Sequence, residues 1–146
     1  MSNQIRVTIL WLVLVVCMML HFDYHVSEIF YGIDVKRSDA NGTVPNTIVV
    51  IRTLFHFLPL LYVAMLLWLE SKLVRVLNVV LSGLYLLSHT FHLVGEMQKF
   101  NNPSQIILLS VTLILASLLV LASYKWLREI NSELYYRDKK QQHVQQ

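Results

Sequence analysis

The sequence predicts an all-α fold, a four-helix transmembrane bundle with both termini cytoplasmic. Three observations carry this expectation. There are four apolar runs of roughly 20 residues, each long enough to cross a bilayer core as a helix. The 146-residue chain is 55% hydrophobic and only 14% charged, with a mean hydropathy of +0.53, whereas soluble domains carry about 25% charged residues. Its basic residues also divide unevenly between the two sides that four spans would create.

The first run covers about 5–22, "IRVTILWLVLVVCMMLHF". Arg6 is a weak basic start and no small-residue cleavage site follows, so the run reads as a retained helix rather than a signal peptide. Cys17, the one cysteine, has no partner for an internal disulfide and reads as a small apolar filler. The extramembrane connection 23–47 ends in "KRSDANGTVPN", rich in turn formers. Asn41-Gly42-Thr43 within it is a glycosylation sequon on the outer side of this topology.

The second run, about 48–69, follows Pro45-Asn46-Thr47, which offers a helix cap. Pro59 lies within it. Proline removes one backbone hydrogen bond, which predicts a kink and a free carbonyl at Phe55, beside His56. The third run, about 73–97, is joined to the second by only "ESK". Such a short link demands antiparallel neighbours. Pro103-Ser104 caps the fourth run, about 105–127, and the polar stretch 128–146 carries that helix on into water. The whole chain, 1–146, reads as a single integral membrane domain.

Eight basic residues fall on the side of the termini: Arg6, Lys72, Arg75, Lys125, Arg128, Arg137, Lys139 and Lys140. Four fall on the other side or just within it: Lys36, Arg37, Arg52 and Lys99. The excess marks the cytoplasmic side, and Trp68 and Trp126 at that border suit an aromatic belt. The expected location is an inner or plasma membrane, with multiple passes. No nucleic-acid motif, CxxC, phosphate loop or GxSxG is present. The expected partners are therefore the bilayer, a lipidic substrate or another membrane protein, and no nucleic acid.

Ionisable groups are costly inside a bilayer, yet several sit here, all in the outer half. His56 and His89 each lie eight residues from the outer end of their helix, so ~12 Å deep at 1.5 Å per residue. His89, His92 and Glu96 follow i, i+3, i+7 and share one face of the third helix. His21, His25 and Glu28 follow i, i+4, i+7 on the first helix, if it continues past the membrane edge. Arg52 and His56 are i, i+4 on the second. Three stripes at one level should face each other inside the bundle. The fourth helix offers only Ser110, Thr112 and Ser117 and reads as scaffold.

The pattern points first to a divalent transition metal, zinc or iron, held by His21, His25, His89, His92 and His56. Spacings of i, i+3 and i, i+4 let one helix chelate an ion. Glu96 and Glu28 are the candidate general bases or carboxylate ligands, and Arg52 the natural contact for an anionic substrate. The HxxxH of "HFDYH" and the HxxH of "HTFH" resemble the histidine boxes of membrane desaturases and hydroxylases. The HxxHH box of those enzymes is missing, so membership is not assigned. The leading expectation is a small multi-pass membrane protein with a metal site at the outer-leaflet level, which as an enzyme would act on a lipidic substrate. The alternatives are a non-catalytic accessory or scaffold subunit with a metal-free polar core, and a haem b bundle ligated by His56 and His89. A transmembrane proton relay is disfavoured, because the cytoplasmic halves of the spans lack ionisable groups.

Overall fold

The computed structural model describes residues 1–36, 40–99 and 102–144, without the side chains of Lys99 and 131–144. Arg37 and the side chains of Lys99, Arg137, Lys139 and Lys140, counted above for orientation, lie outside the described residues. Four helices span most of the rest: α1 (Asn3–Ser27), α2 (Asn46–Leu66), α3 (Lys72–Lys99) and α4 (Pro103–Val144). Each includes a stretch long and apolar enough to cross a membrane. No strand occurs among the described residues.

The helix ends follow local chemistry. Ser2 caps α1, its Oγ accepting from the Ile5 amide at 3.3 Å. No glycine or proline interrupts the chain until Gly32, so α1 runs well past the apolar stretch and tightens into a 3-10 turn, Glu28–Tyr31. Gly32 then takes the left-handed conformation, φ +75°, and its amide closes on the Glu28 and Ile29 carbonyls. The fourth helix is capped by Asn102, not by Pro103-Ser104. Its Oδ1 accepts from the Ser104 amide at 3.0 Å and the Gln105 amide at 3.4 Å. The expected cap of α2 does not form either, since Pro45 occupies that position without a side-chain bond.

Pro59 acts differently from expectation. The turn before it, Thr53–Phe57, is a π-helix, and the Leu58 amide reaches back five residues to the Thr53 carbonyl. In that register the missing proline N–H falls opposite Leu54, not Phe55. The Tyr85 hydroxyl of α3 donates to the freed Leu54 carbonyl.

The bundle is uneven. α4 packs along both α1 and α3, and α2 packs mainly on α1. α2 and α3 run antiparallel, with Tyr62 reaching Val74 and Tyr85 reaching Leu54. Their backbones nonetheless barely touch, so the close neighbours expected from the short "ESK" link are splayed. Large aromatic side chains bridge the gap.

α1 and α3 meet across the centre through polar side chains. Asn78 is fully buried. Its Oδ1 accepts from Trp11 Nε1 at 2.8 Å, and its Nδ2 donates to Ser123 Oγ at 2.7 Å. Around this junction lie Val7, Leu14, Tyr62, Leu66, Leu119 and Trp126. Trp11 meets Tyr62 and Tyr85 edge-on, with ring centroids 5.5 and 4.8 Å away.

One end of the bundle holds the start of α1 and the exit of α4. There Asn3 Nδ2 donates to Glu129 Oε1 at 2.6 Å and Gln4 Nε2 to the Leu66 carbonyl at 2.7 Å. The buried Arg75 packs over Trp126 and donates to its carbonyl at 3.2 Å. The histidines gather at the opposite end.

Replacing Asn78 by alanine strands the Trp11 N–H in an apolar core. The expected loss is about 1–2 kcal/mol, at the upper end for buried hydrogen bonds in membrane bundles. Ser82→Ala should have a much smaller effect, since Ser82 bonds only within its own helix, to Val79. Denaturant unfolding in detergent micelles measures both.

Candidate functional site: a histidine cluster at one end of the bundle

Three helices contribute. From α1 comes His21, whose Nε2 lies 3.0 Å from His92 Nε2 of α3. This is hydrogen-bond distance, so one ring donates and the other accepts. The two rings meet edge to face, 4.8 Å apart at 88°. One turn further along α1, the exposed His25 also packs edge-on against His21, 4.8 Å away. His89 is one turn deeper on α3. It is 2% exposed and packs between Phe55 of α2 and Tyr85.

The carboxylates sit beside these rings. Glu96 stands within electrostatic reach of His21. Glu28 accepts a hydrogen bond from Asn102 Nδ2 at 2.6 Å, which ties the 3-10 turn after α1 to the cap of α4. Glu28 is thus engaged in structure, whatever else it does.

α4 also takes part, which the sequence reading missed. Gln105 is 1% exposed and its Nε2 donates to the His21 carbonyl at 3.3 Å. The signal was a glutamine and an asparagine close to Pro103 at the N-terminal end of an apolar run. The serines and threonine read as scaffold are just that: Ser110, Thr112 and Ser117 all bond to carbonyls of their own helix.

Three buried side-chain atoms lack a hydrogen bond of regular geometry among the described residues: His21 Nδ1, His89 Nε2 and Gln105 Oε1. All three belong to this one site. The His21 and Gln105 side chains lie within hydrogen-bonding reach of each other, which leaves His89 Nε2 as the atom without a neighbour to pair with among the described residues. A buried polar atom left unpaired costs about 1–3 kcal/mol, so its presence here needs a reason. A cavity of about 280 Å³ reaches the same place, lined by Met18, Ile51, Phe55, Ser88, His89 and His92. It occupies the seam where α2 and α3 splay apart.

His56 and Arg52 are not part of this set. They line a separate groove of about 710 Å³ between α1 and α2, with Asp23 and Phe22. Arg52 lies over the Phe22 ring, 6.0 Å from its centre. The reason is helical phase. Successive residues turn ~100° around a helix, and Phe55 is the one that faces His89. His56 therefore points elsewhere. An opposed His56–His89 pair for haem does not form, and Arg52 does not share the histidine cavity.

The five-histidine ligand set is corrected in the same way. Among the described residues, no three His, Cys, Asp or Glu side chains converge as a group able to hold a metal. The geometry provides one close pair, His21 and His92, with His25 and His89 on either side. No family model, curated protein or solved structure matches this chain.

The close pair makes a measurable prediction. In a double-mutant cycle on stability, His21→Ala and His92→Ala should couple by about 0.5–1.5 kcal/mol, the net value of a buried hydrogen bond. His21→Ala and His56→Ala should add within ~0.5 kcal/mol, as expected for separate sites.

Proposed function

We propose that the chain is a multi-pass integral membrane protein, with both termini cytoplasmic, that binds the polar head of a membrane-soluble ligand at its histidine end. One observation carries the reading: His89, whose buried Nε2 has no hydrogen-bond partner among the described residues, lines the histidine cavity. Water-exposed sites satisfy such atoms with solvent. Within a bilayer an ordered water, a partner group or a ligand does so.

The splayed α2–α3 seam offers lateral access from lipid. An apolar tail would lie against Met18, Ile51 and Phe55, and a carbonyl or hydroxyl head would reach His89 and His92. Imidazole serves such a head well, because each neutral ring offers one donor and one acceptor. The His21–His92 pair and the exposed His25 would then link the head to water on the outer side. Binding rather than turnover is the activity these residues support.

A second reading has one observation of its own. The two Nε2 atoms converge at 3.0 Å, close to the separation of two imidazoles sharing a zinc or iron ion with bonds of about 2 Å. A third ligand, from His25 or Glu96, would have to swing in.

A benzoquinone with a decyl tail is a suitable probe, since Trp11 lies beside His89 along one small void and reports occupancy. Saturable quenching of tryptophan fluorescence is expected, weakened about tenfold or more in His89→Phe, as loss of one buried hydrogen bond implies. Quenching that never saturates, or that ignores His89, sinks the proposal. Metal analysis of the same sample decides the second reading. Stoichiometric zinc or iron that disappears in His21→Ala/His92→Ala would replace the ligand site with a metal site.

Orientation is tested separately. A reporter active only in the cytoplasm should work when fused after Val144 and fail when inserted at Gly42. The reverse pattern inverts the topology.

A further inference from the structure

At the end of the bundle away from the histidines, a groove of about 360 Å³ runs between α1 and α4. Its mouth holds Asn3, Arg6 and Lys125, and its depth is apolar, with Ile9, Leu118 and Leu121. The order is regular. Lys125, Leu121 and Leu118 descend one face of α4 at i, i−4, i−7, while Arg6 and Ile9 descend α1 at i, i+3. Two cations therefore stand at one end of the groove, and an apolar surface strip runs from them along the seam between α1 and α4.

We propose that this groove binds one anionic phospholipid, its phosphate between Arg6 and Lys125 and an acyl chain along Ile9, Leu118 and Leu121. Charge complementarity argues for that occupant. Among the described residues no carboxylate lines the groove, and Glu129 beside it accepts a hydrogen bond from Asn3. Among the described residues the Arg6 side chain makes one long contact, 3.5 Å, to Asn3 Oδ1. A phosphodiester is the anion that arrives already attached to an apolar chain. Asn3, Arg6 and Lys125 supply the donors it needs, and basic side chains at a membrane border attract anionic headgroups. The neighbouring Arg128 is turned onto Tyr124, 5.7 Å from its ring centre, and does not line the groove.

The proposal rests on the membrane reading above but not on the histidine site. Native mass spectrometry of the detergent-purified full chain, with phosphatidylglycerol or phosphatidylcholine added, tests it. Phosphatidylglycerol should be retained about tenfold more strongly, as two basic contacts imply. Arg6→Gln/Lys125→Gln should abolish that preference. Leu121→Trp, which fills the groove without touching the charges, should reduce retention of both lipids. Arg128→Gln and His92→Ala should leave it unchanged. Equal retention of the two lipids, or a preference that survives the double substitution, overturns the site. A chain recovered without detergent would instead overturn the membrane reading itself.

Discussion

Asn78 is the residue on which the arrangement depends. An amide in an apolar bundle is tolerated only where its donor and acceptor are both satisfied. Asn78 finds the Trp11 N–H on one side and the Ser123 hydroxyl on the other. Those residues lie on three different helices. The bonds thus set the rotation of α1, α3 and α4 about their own axes. Apolar packing alone would permit many rotations at similar energy, because in lipid every helix face is already compatible with its surroundings. With the rotations set, α1 and α3 meet again towards the other end of the bundle, through His21 and His92.

α2 is held on different terms. Its backbone lies mainly against α1, and it reaches α3 through Tyr62, Tyr85 and Phe55. The π turn is part of the same adjustment. It exposes the Leu54 carbonyl to the Tyr85 hydroxyl and leaves Phe55 against both Tyr85 and His89. A bundle closed on three sides and loosely laced on the fourth has a natural opening. The histidine cavity lies in that opening.

The two ends of the bundle are chemically unlike. At the terminal end, buried polar groups are paired. Arg75, for example, is covered by Trp126 and bonded to carbonyls of Trp126 and Glu70. At the histidine end, His89 Nε2 is buried without a hydrogen-bond partner among the described residues. Glu28 and Asn102 close the histidine end from above by joining the turn after α1 to the start of α4.

The sequence by itself determined the class, the four apolar helices and the level at which each histidine lies. Those properties depend on composition and on the fixed rise of a helix, and both are local. It also placed His21 with His25 and His89 with His92, because i, i+3 and i, i+4 neighbours share a face in any helix. Only the tertiary structure decided which faces meet. His56 has the same depth as His89 and yet turns away, since its neighbour Phe55 takes the inward position. Gln105 enters the site only because α4 packs along α1. Pro59 frees Leu54 instead of Phe55 because one extra residue in the preceding turn shifts the register. Helix rotation and register are set by contacts between residues far apart in the chain, and no spacing along a single helix encodes them.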